Sequence, residues 1–200
     1  SRDARVLLAH ALGIGHDWLT LKLQDEMTAA QEALYAAALA ARVARQPVAQ
    51  ITGRRLFWGL SFRVTRDVLD PRPDTETLVA EALTQPFLKM LDLGTGTGCI
   101  LLSCLKGMPL ARGVGTDISD AALQVAIGNT RDLGLEARAR FRKSDWFANV
   151  TGAFDLIVSN PPYIPSDALA LLPPEIAAYE PLEALDGGPD GLRFHRRIIE

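Results

Sequence analysis

From residue 88 onward the chain alternates between short apolar runs and stripes of helical period. Lys89–Leu93, 113–116, Ala139–Lys143 and 154–159 are β-prone and apolar, and turn or polar residues flank them. Between and after them, 100–106, 121–134 and 166–178 carry apolar residues at helical spacing. Strand alternating with helix predicts an α/β fold with right-handed crossovers and a parallel sheet. In such folds the ligand site lies at the carboxyl ends of the strands.

The first 87 residues follow a different pattern. Residues 1–45 read as helices, with Val6, Leu7, Leu8, Ala11 and Leu12 forming a stripe that Gly13 and Gly15 stop. Residues 29–45 are alanine-rich, place Leu34 and Leu39 on one side, and contain no internal glycine or proline. Gln46-Pro47 ends this helix. Gln50-Ile51-Thr52-Gly53 and the run from Arg54 to Val64 are β-prone and predict one or two hairpins, with Gly59 at a turn or bulge. Arg54, Arg55, Arg63 and Arg66 make this stretch basic. That suits either a solvated strand face or a phosphate-bearing partner. Next, Asp70-Pro71-Arg72-Pro73-Asp74-Thr75-Glu76 stiffens the entry to a helix over 77–83, either simply as its start, capped by Asp74 or Thr75, or as a rigid strip beside the glycine-rich loop that presents polar side chains to a ligand. The expected organisation is a helical domain over 1–45, a hairpin linker over 46–72 and an α/β domain over 73–200. The helical domain serves either to dock a macromolecular partner or simply to pack.

Composition changes this picture little. In 200 residues, 48% are hydrophobic and 22% charged, an ordinary globular balance. A net charge of −3 disfavours a large non-specific nucleic-acid surface. Cys99 and Cys104 fall in one helical stretch without metal-ligand spacing. They suggest neither a disulfide framework nor a metal site, so a reducing, cytoplasmic setting is expected. No apolar run approaches the roughly 18 residues of a membrane span, and no basic-then-apolar leader is present. Ser1 and Glu200 both fall inside helical patterns, so further elements are expected beyond Glu200.

Three motifs carry candidate chemistry. In the first, Leu91-Asp92-Leu93 runs into Gly94-Thr95-Gly96-Thr97-Gly98 and then a helix. Glycines at a strand-to-helix turn permit positive φ and close ligand approach. Spacing as Gly-x-Gly-x-Gly, not Gly-x-Gly-x-x-Gly, favours a ligand without a pyrophosphate, such as S-adenosylmethionine. Asp117 ends the next strand and is placed to accept from two ribose hydroxyls, unless it caps the helix that follows. In the second, Ser144-Asp145-Trp146-Phe147 follows the third strand. Asp145 suits an exocyclic amine and Trp146 an adenine ring, the alternative being a capping aspartate beside a core tryptophan. In the third, Asn160-Pro161-Pro162-Tyr163 follows the fourth strand. The Asn160 side-chain oxygen and the Pro161 carbonyl can both accept from an NH2 group, and Tyr163 can stack on a flat amide or base. His10, His16 and His195 lie far from these motifs and read as surface or core residues.

Together these residues resemble a class I, Rossmann-like S-adenosylmethionine-dependent methyltransferase acting on a planar exocyclic or amide nitrogen. Two groups share Asn-Pro-Pro-Tyr: DNA adenine-N6 methyltransferases and the HemK/PrmC protein-glutamine N5-methyltransferases. Gln46-Pro47, Gly53, Phe57-Trp58, Phe62-Val64 and Pro71-Arg72-Pro73 with Thr75-Glu76 resemble the HemK/PrmC linker. Glu180-Pro181, Ala184-Leu185 and Asp186-Gly187-Gly188 with Asp190-Gly191-Leu192 resemble the segment after its catalytic loop. Asp70 and Asp74 depart from the family, which usually has an apolar residue and a glutamate there.

The resemblance implies cofactor binding by Gly94, Thr95, Gly96, Thr97, Gly98, Asp117, Asp145, Trp146 and Asn160, with S-adenosylhomocysteine as product. It implies catalysis by Asn160, Pro161 and Tyr163, and substrate contacts from these three, Pro162 and Phe57. The implied acceptor is the glutamine of the Gly-Gly-Gln motif in class I peptide release factors. The enzyme is expected to be a monomer with no metal, no membrane contact and no stable nucleic-acid binding. The competing expectations are a DNA or RNA adenine-N6 methyltransferase and a non-catalytic S-adenosylmethionine-binding scaffold.

Overall fold

In the computed structural model every residue is described except Leu23 and Glu200, and His16 by its backbone alone. The expectations about the His16 side chain and about elements beyond Glu200 lie outside the described residues. The chain opens with helix α1 (Arg2–Leu12), which Gly13 ends in the left-handed conformation at φ 69°. A 3-10 turn over His16–Lys22 leads to α2 (Ala29–Val43), whose start carries a capping box between Thr28 and Gln31.

Gln50-Ile51-Thr52 departs from the β expectation. It lies in a short helix, α3 (Val48–Thr52), that begins after Pro47 and packs on α1 and α2. Burial of Ala49 against the chain and closure by Gly53 at φ 70° outweigh the β propensity of Ile51 and Thr52.

A single hairpin follows, β1 (Arg54–Phe57) and β2 (Leu60–Arg63), joined by Trp58-Gly59. Both turn residues have positive φ, 51° and 71°, as a two-residue turn matching the strand twist requires. Each of the four arginines here has a partner, and Arg54, Arg63 and Arg66 stay exposed, as a solvated strand face requires. Arg54 and Arg63 pair with Asp132, Arg55 with Asp70, and Arg66 lies over the Tyr179 ring.

Beyond it come α4 (Glu76–Ala82), β3 (Lys89–Leu93), α5 (Cys99–Gly107), β4 (Arg112–Asp117), α6 (Asp120–Asp132), β5 (Ala139–Lys143) and β6 (Leu156–Ser159). Among the described residues these strands form one parallel sheet of order β5-β4-β3-β6. The order reverses at β3, which puts the topological switch point at the carboxyl end of the strand that carries the glycine loop. Met90, Leu91 and Leu93 of β3 are fully buried. They share the core with Leu101, Leu102 and Leu105, as the apolar pattern requires.

The helix expected over 166–178 is broken in two. A 3-10 turn covers Ser166–Leu171 and helix α7 covers Pro174–Ala177. Pro173 and Pro174 lack amide hydrogens and force the residues before them into extended backbone. The chain closes with α8 (Arg193–Ile199). No helix among the described residues is long and apolar enough to cross a membrane.

Candidate active site

The carboxyl ends of β3, β4, β5 and β6 open into a cavity of about 820 Å3. Gly94, Thr95, Gly96 and Thr97 line it from β3, Asp117 from β4, Asp145 and Trp146 from β5, and Asn160 and Pro162 from β6. The three motifs read in the sequence therefore converge.

The glycine loop spends much of its polar capacity internally. Thr95 N–H donates to Thr116 O at 2.8 Å, Gly96 N–H to Asp117 Oδ2 at 2.9 Å, and Gly98 N–H to Thr95 O at 2.8 Å. A loop with these amides committed is no phosphate cradle, and this fits a ligand that lacks a pyrophosphate. Gly98 lies outside the cavity lining. A Cβ there would stand 3.2 Å from Leu102 and 3.3 Å from Ala126, so this glycine lets α5 start against α6.

Asp117 accepts from Gly96 N–H through one oxygen and from Ser119 N–H at 3.0 Å through the other. A carboxylate has about four acceptor sites, so capacity remains for hydroxyl donors. Ile118, exposed and lining the cavity beside it, offers the apolar contact a flat ring needs. Trp146 sits in left-handed backbone at φ 52°, held where Ser144 Oγ donates to its carbonyl at 2.7 Å. Phe194 of α8 packs on the Trp146 ring at 4.9 Å between centroids, and Arg197 pairs with Asp145 at 2.6 Å. The C-terminal helix thus forms one wall of the cavity.

Behind the loop lies a group hidden in the apolar run. Asp92 is wholly buried. Its Oδ2 accepts from Thr95 Oγ1 at 2.6 Å, and its Oδ1 has no partner. Burial pushes its carboxyl up to about 7 against the pull of the Thr95 hydroxyl and the Leu101 amide, and Asp117 pushes the same way.

A second cavity of about 500 Å3 adjoins the first. Pro161 and Tyr163 line it, and Leu69, Arg72, Thr75, Asn160 and Ala184 are shared between the two. Asn160 stands at the junction. Its Nδ2 donates to Thr75 Oγ1 at 3.2 Å, which leaves Oδ1 free to accept from a ligand. The stiff strip ahead of α4 therefore positions Asn160; Thr75 is the N-cap residue of α4, as expected, but its side chain makes no cap hydrogen bond and accepts from Asn160 instead.

The strip is itself anchored from the segment after the loop. Glu180, with its side chain 1% exposed, accepts from Asp70 N–H and from Arg72 at 3.1 Å each. Burial raises the carboxyls of both Glu180 and Asp70, against the opposing pull of nearby arginines. Gly187 and Gly191 clasp the Tyr163 backbone. A Cβ on Gly187 would lie 2.7 Å from Tyr163 Cα, and one on Gly191 would lie 2.4 Å from its carbonyl oxygen. Tyr163 keeps an exposed ring.

Phe57 is not brought to either cavity. It is 1% exposed and packs edge-on against Phe62 in the core, because strand alternation turns it inward from the hairpin. The sequence reading missed Asp92, Ile118 and Phe194. Of these only Ile118 left a signal, an apolar side chain directly after a strand-end aspartate. Among the described residues no cluster of histidine, cysteine, aspartate and glutamate forms a metal site.

Comparison with known proteins agrees with this geometry. The model of the methyltransferase small domain matches residues 66–171, and that of the PrmC N-terminal domain matches residues 1–53. A release factor glutamine methyltransferase from Cereibacter sphaeroides is 56% identical over 198 residues, covering 99% of this chain and 71% of that protein. One from Rhodospirillum rubrum is 49% identical over 198 residues, covering 98% of this chain and 61% of that protein. Among solved structures, the hMettl16 catalytic domain in complex with the MAT2A 3'UTR hairpin 6 matches with a TM-score of 0.56. It is 20% identical, the match covers 71% of this chain and 56% of that one, and the likeness extends to the fold. On the near-full-length identity to curated relatives, this chain belongs to the release factor glutamine methyltransferase family.

Proposed function

We propose that this methyltransferase moves a methyl group from S-adenosylmethionine to the side-chain amide N5 of the glutamine in the Gly-Gly-Gln motif of class I peptide release factors. The observation that carries the reading is Asn160 at the junction of the two cavities, oriented by Thr75 with Oδ1 open to an NH2 donor. The first cavity fits the cofactor. Asp117 would hold its ribose, Ile118 and Trp146 its adenine, and the Asp145 oxygen not paired with Arg197 its exocyclic amine. When bound, the cofactor supplies an electrophilic sulfonium methyl.

An amide nitrogen is a weak nucleophile, so the protein's work is positioning. Asn160 Oδ1 and the Pro161 carbonyl accept from the acceptor NH2 and aim its nitrogen toward the first cavity. Their hydrogen bonds strengthen as positive charge develops on nitrogen, which favours the transition state over the ground state. Tyr163 covers the flat amide. A cofactor held in the first cavity would give up its methyl to the amide nitrogen and keep the S–CH3 electron pair on sulfur, and the acidified N–H proton would leave to water. Among the described residues lining the second cavity, the ionisable side chains are Arg72, Asp74 and Tyr163, and this scheme assigns none of them a proton.

Transfer of tritiated methyl to a class I release factor, to its Gly-Gly-Ala variant and to DNA tests the reading. Label is expected on the release factor alone and lost in the variant. Label on DNA only, or on nothing, would overturn it. Asn160→Ala is expected to abolish turnover while S-adenosylhomocysteine binding falls only modestly. Turnover at the wild-type rate would refute the role given to Asn160.

A further inference from the structure

Helix α6 carries an asparagine that neither cavity uses. Asn129 is fully buried, and its amide faces two elements at once. Its Oδ1 accepts from Arg63 N–H at 2.6 Å, and its Nδ2 donates to Arg63 O at 3.2 Å. The side chain therefore pairs with the last residue of β2 as a neighbouring strand would. The same Nδ2 donates to Thr97 O at 2.9 Å, inside the glycine loop. One amide group thus joins the hairpin linker to the loop. The seam is close, since a Cβ on Gly128 would meet Arg63 at 3.7 Å and Asp132 binds both Arg54 and Arg63.

We propose that Asn129 is a positioning residue that couples the hairpin to the cofactor loop. Thr97 lies between Gly96 and Gly98, both at positive φ (52° and 78°), where glycine leaves the backbone more alternatives than another residue would. Fixing the Thr97 carbonyl outward selects one of them. Arg63 in turn belongs to the segment that leads from the N-terminal helices to the catalytic strip. An ordered loop therefore favours an ordered hairpin, and linkage makes the effect reciprocal. Release factor held near the hairpin would then tighten the cofactor site, and cofactor would prepare the hairpin. This rests on the reading that the loop binds S-adenosylmethionine.

The test is amide hydrogen exchange of the whole chain with and without saturating S-adenosylhomocysteine. Neither Arg63 nor Asn129 lines a cavity, so direct contact cannot protect the hairpin. In the unmodified protein, exchange at residues 61–64 is expected to slow about fivefold or more, alongside the loop. Loop protection with an unchanged hairpin overturns the coupling and leaves the cofactor reading intact. No loop protection overturns both.

Asn129→Asp keeps the acceptor for Arg63 N–H but removes the donor shared by Thr97 O and Arg63 O. It should abolish hairpin protection and weaken S-adenosylhomocysteine binding about tenfold. Asp132→Ala strips the ion pairs from the same seam and should preserve both within about twofold. A purely structural Asn129 would lower the urea midpoint in Asn129→Asp and leave hairpin protection and S-adenosylhomocysteine affinity at the wild-type level. That result also overturns the inference.

Discussion

Asp92→Asn isolates one buried charge. The wild-type carboxyl rises from 3.8 to about 7 because it is sealed beneath the glycine loop. Its folded value lies above its unfolded one, so the native state binds the proton more tightly. The associated stability is fully present below about pH 3.8 and is lost as pH climbs through about 7. A shift of roughly three units corresponds to about 4 kcal/mol at most. Asparagine preserves the shape and can still accept from Thr95 Oγ1, but it never ionises. Urea unfolding followed by tryptophan fluorescence, stepped from pH 4 to pH 8.5, measures both proteins. The variant should gain on the wild type progressively across this range, by up to about 4 kcal/mol, with unchanged urea dependence. Parallel stability profiles would show that Asp92 ionises normally in the fold and would refute the argument from burial.

Three further outcomes follow from the contacts. Thr75→Val removes the hydroxyl that orients Asn160 and should lower kcat about five- to tenfold, the worth of one hydrogen bond, with S-adenosylhomocysteine affinity unchanged by calorimetry. An unaltered kcat would dismiss Thr75 as a positioning residue. Glu180→Ala strands Asp70 N–H and Arg72 and should cost about 3 kcal/mol in urea unfolding. A loss under about 1 kcal/mol would mean the latch is solvated. Burial pushes the Cys99 and Cys104 thiols up to about 12, so neither should react with a thiol reagent at pH 8 until denaturant is added. Rapid labelling of the native protein would contradict their burial.

Many local signals in the sequence were legible. The parallel strands, the glycine loop, Asp117 and Asn160 follow from period and turn chemistry within a few residues of each position. Part of what escaped was decided across the chain, and part was local but set by a competing signal. Thr75 caps its helix by position, as its neighbours suggest, but its hydroxyl oxygen accepts from Asn160, 85 positions away. Asp92 reads as part of an apolar strand because its neighbours are apolar, and only the tertiary burial of β3 makes it a titrating group. Phe57 shares a conspicuous Phe-Trp pair with Trp58, yet strand alternation sends it into the core. Residues 166–178 carry helical spacing, but two prolines outweigh that spacing locally.

These long-range bonds connect the first half of the chain to the chemistry. Gln50 Nε2 donates to Tyr179 O at 2.8 Å, and the Tyr179 hydroxyl donates to Ala44 O at 2.8 Å. Tyr179 adjoins Glu180, which holds Arg72 and the Asp70 amide, and that strip carries Thr75, which orients Asn160. An unbroken series of hydrogen bonds and short chain segments thus runs from the end of α2 to the acceptor side chain. Removing residues 1–45 would take away both the docking surface proposed for the helices and the Ala44 end of this series. Loss of kcat with an isolated glutamine substrate would mark the structural share of the damage. Loss confined to KM for intact release factor would mark the docking share. The helices can therefore be given a role in recognition only to the extent that the second effect exceeds the first.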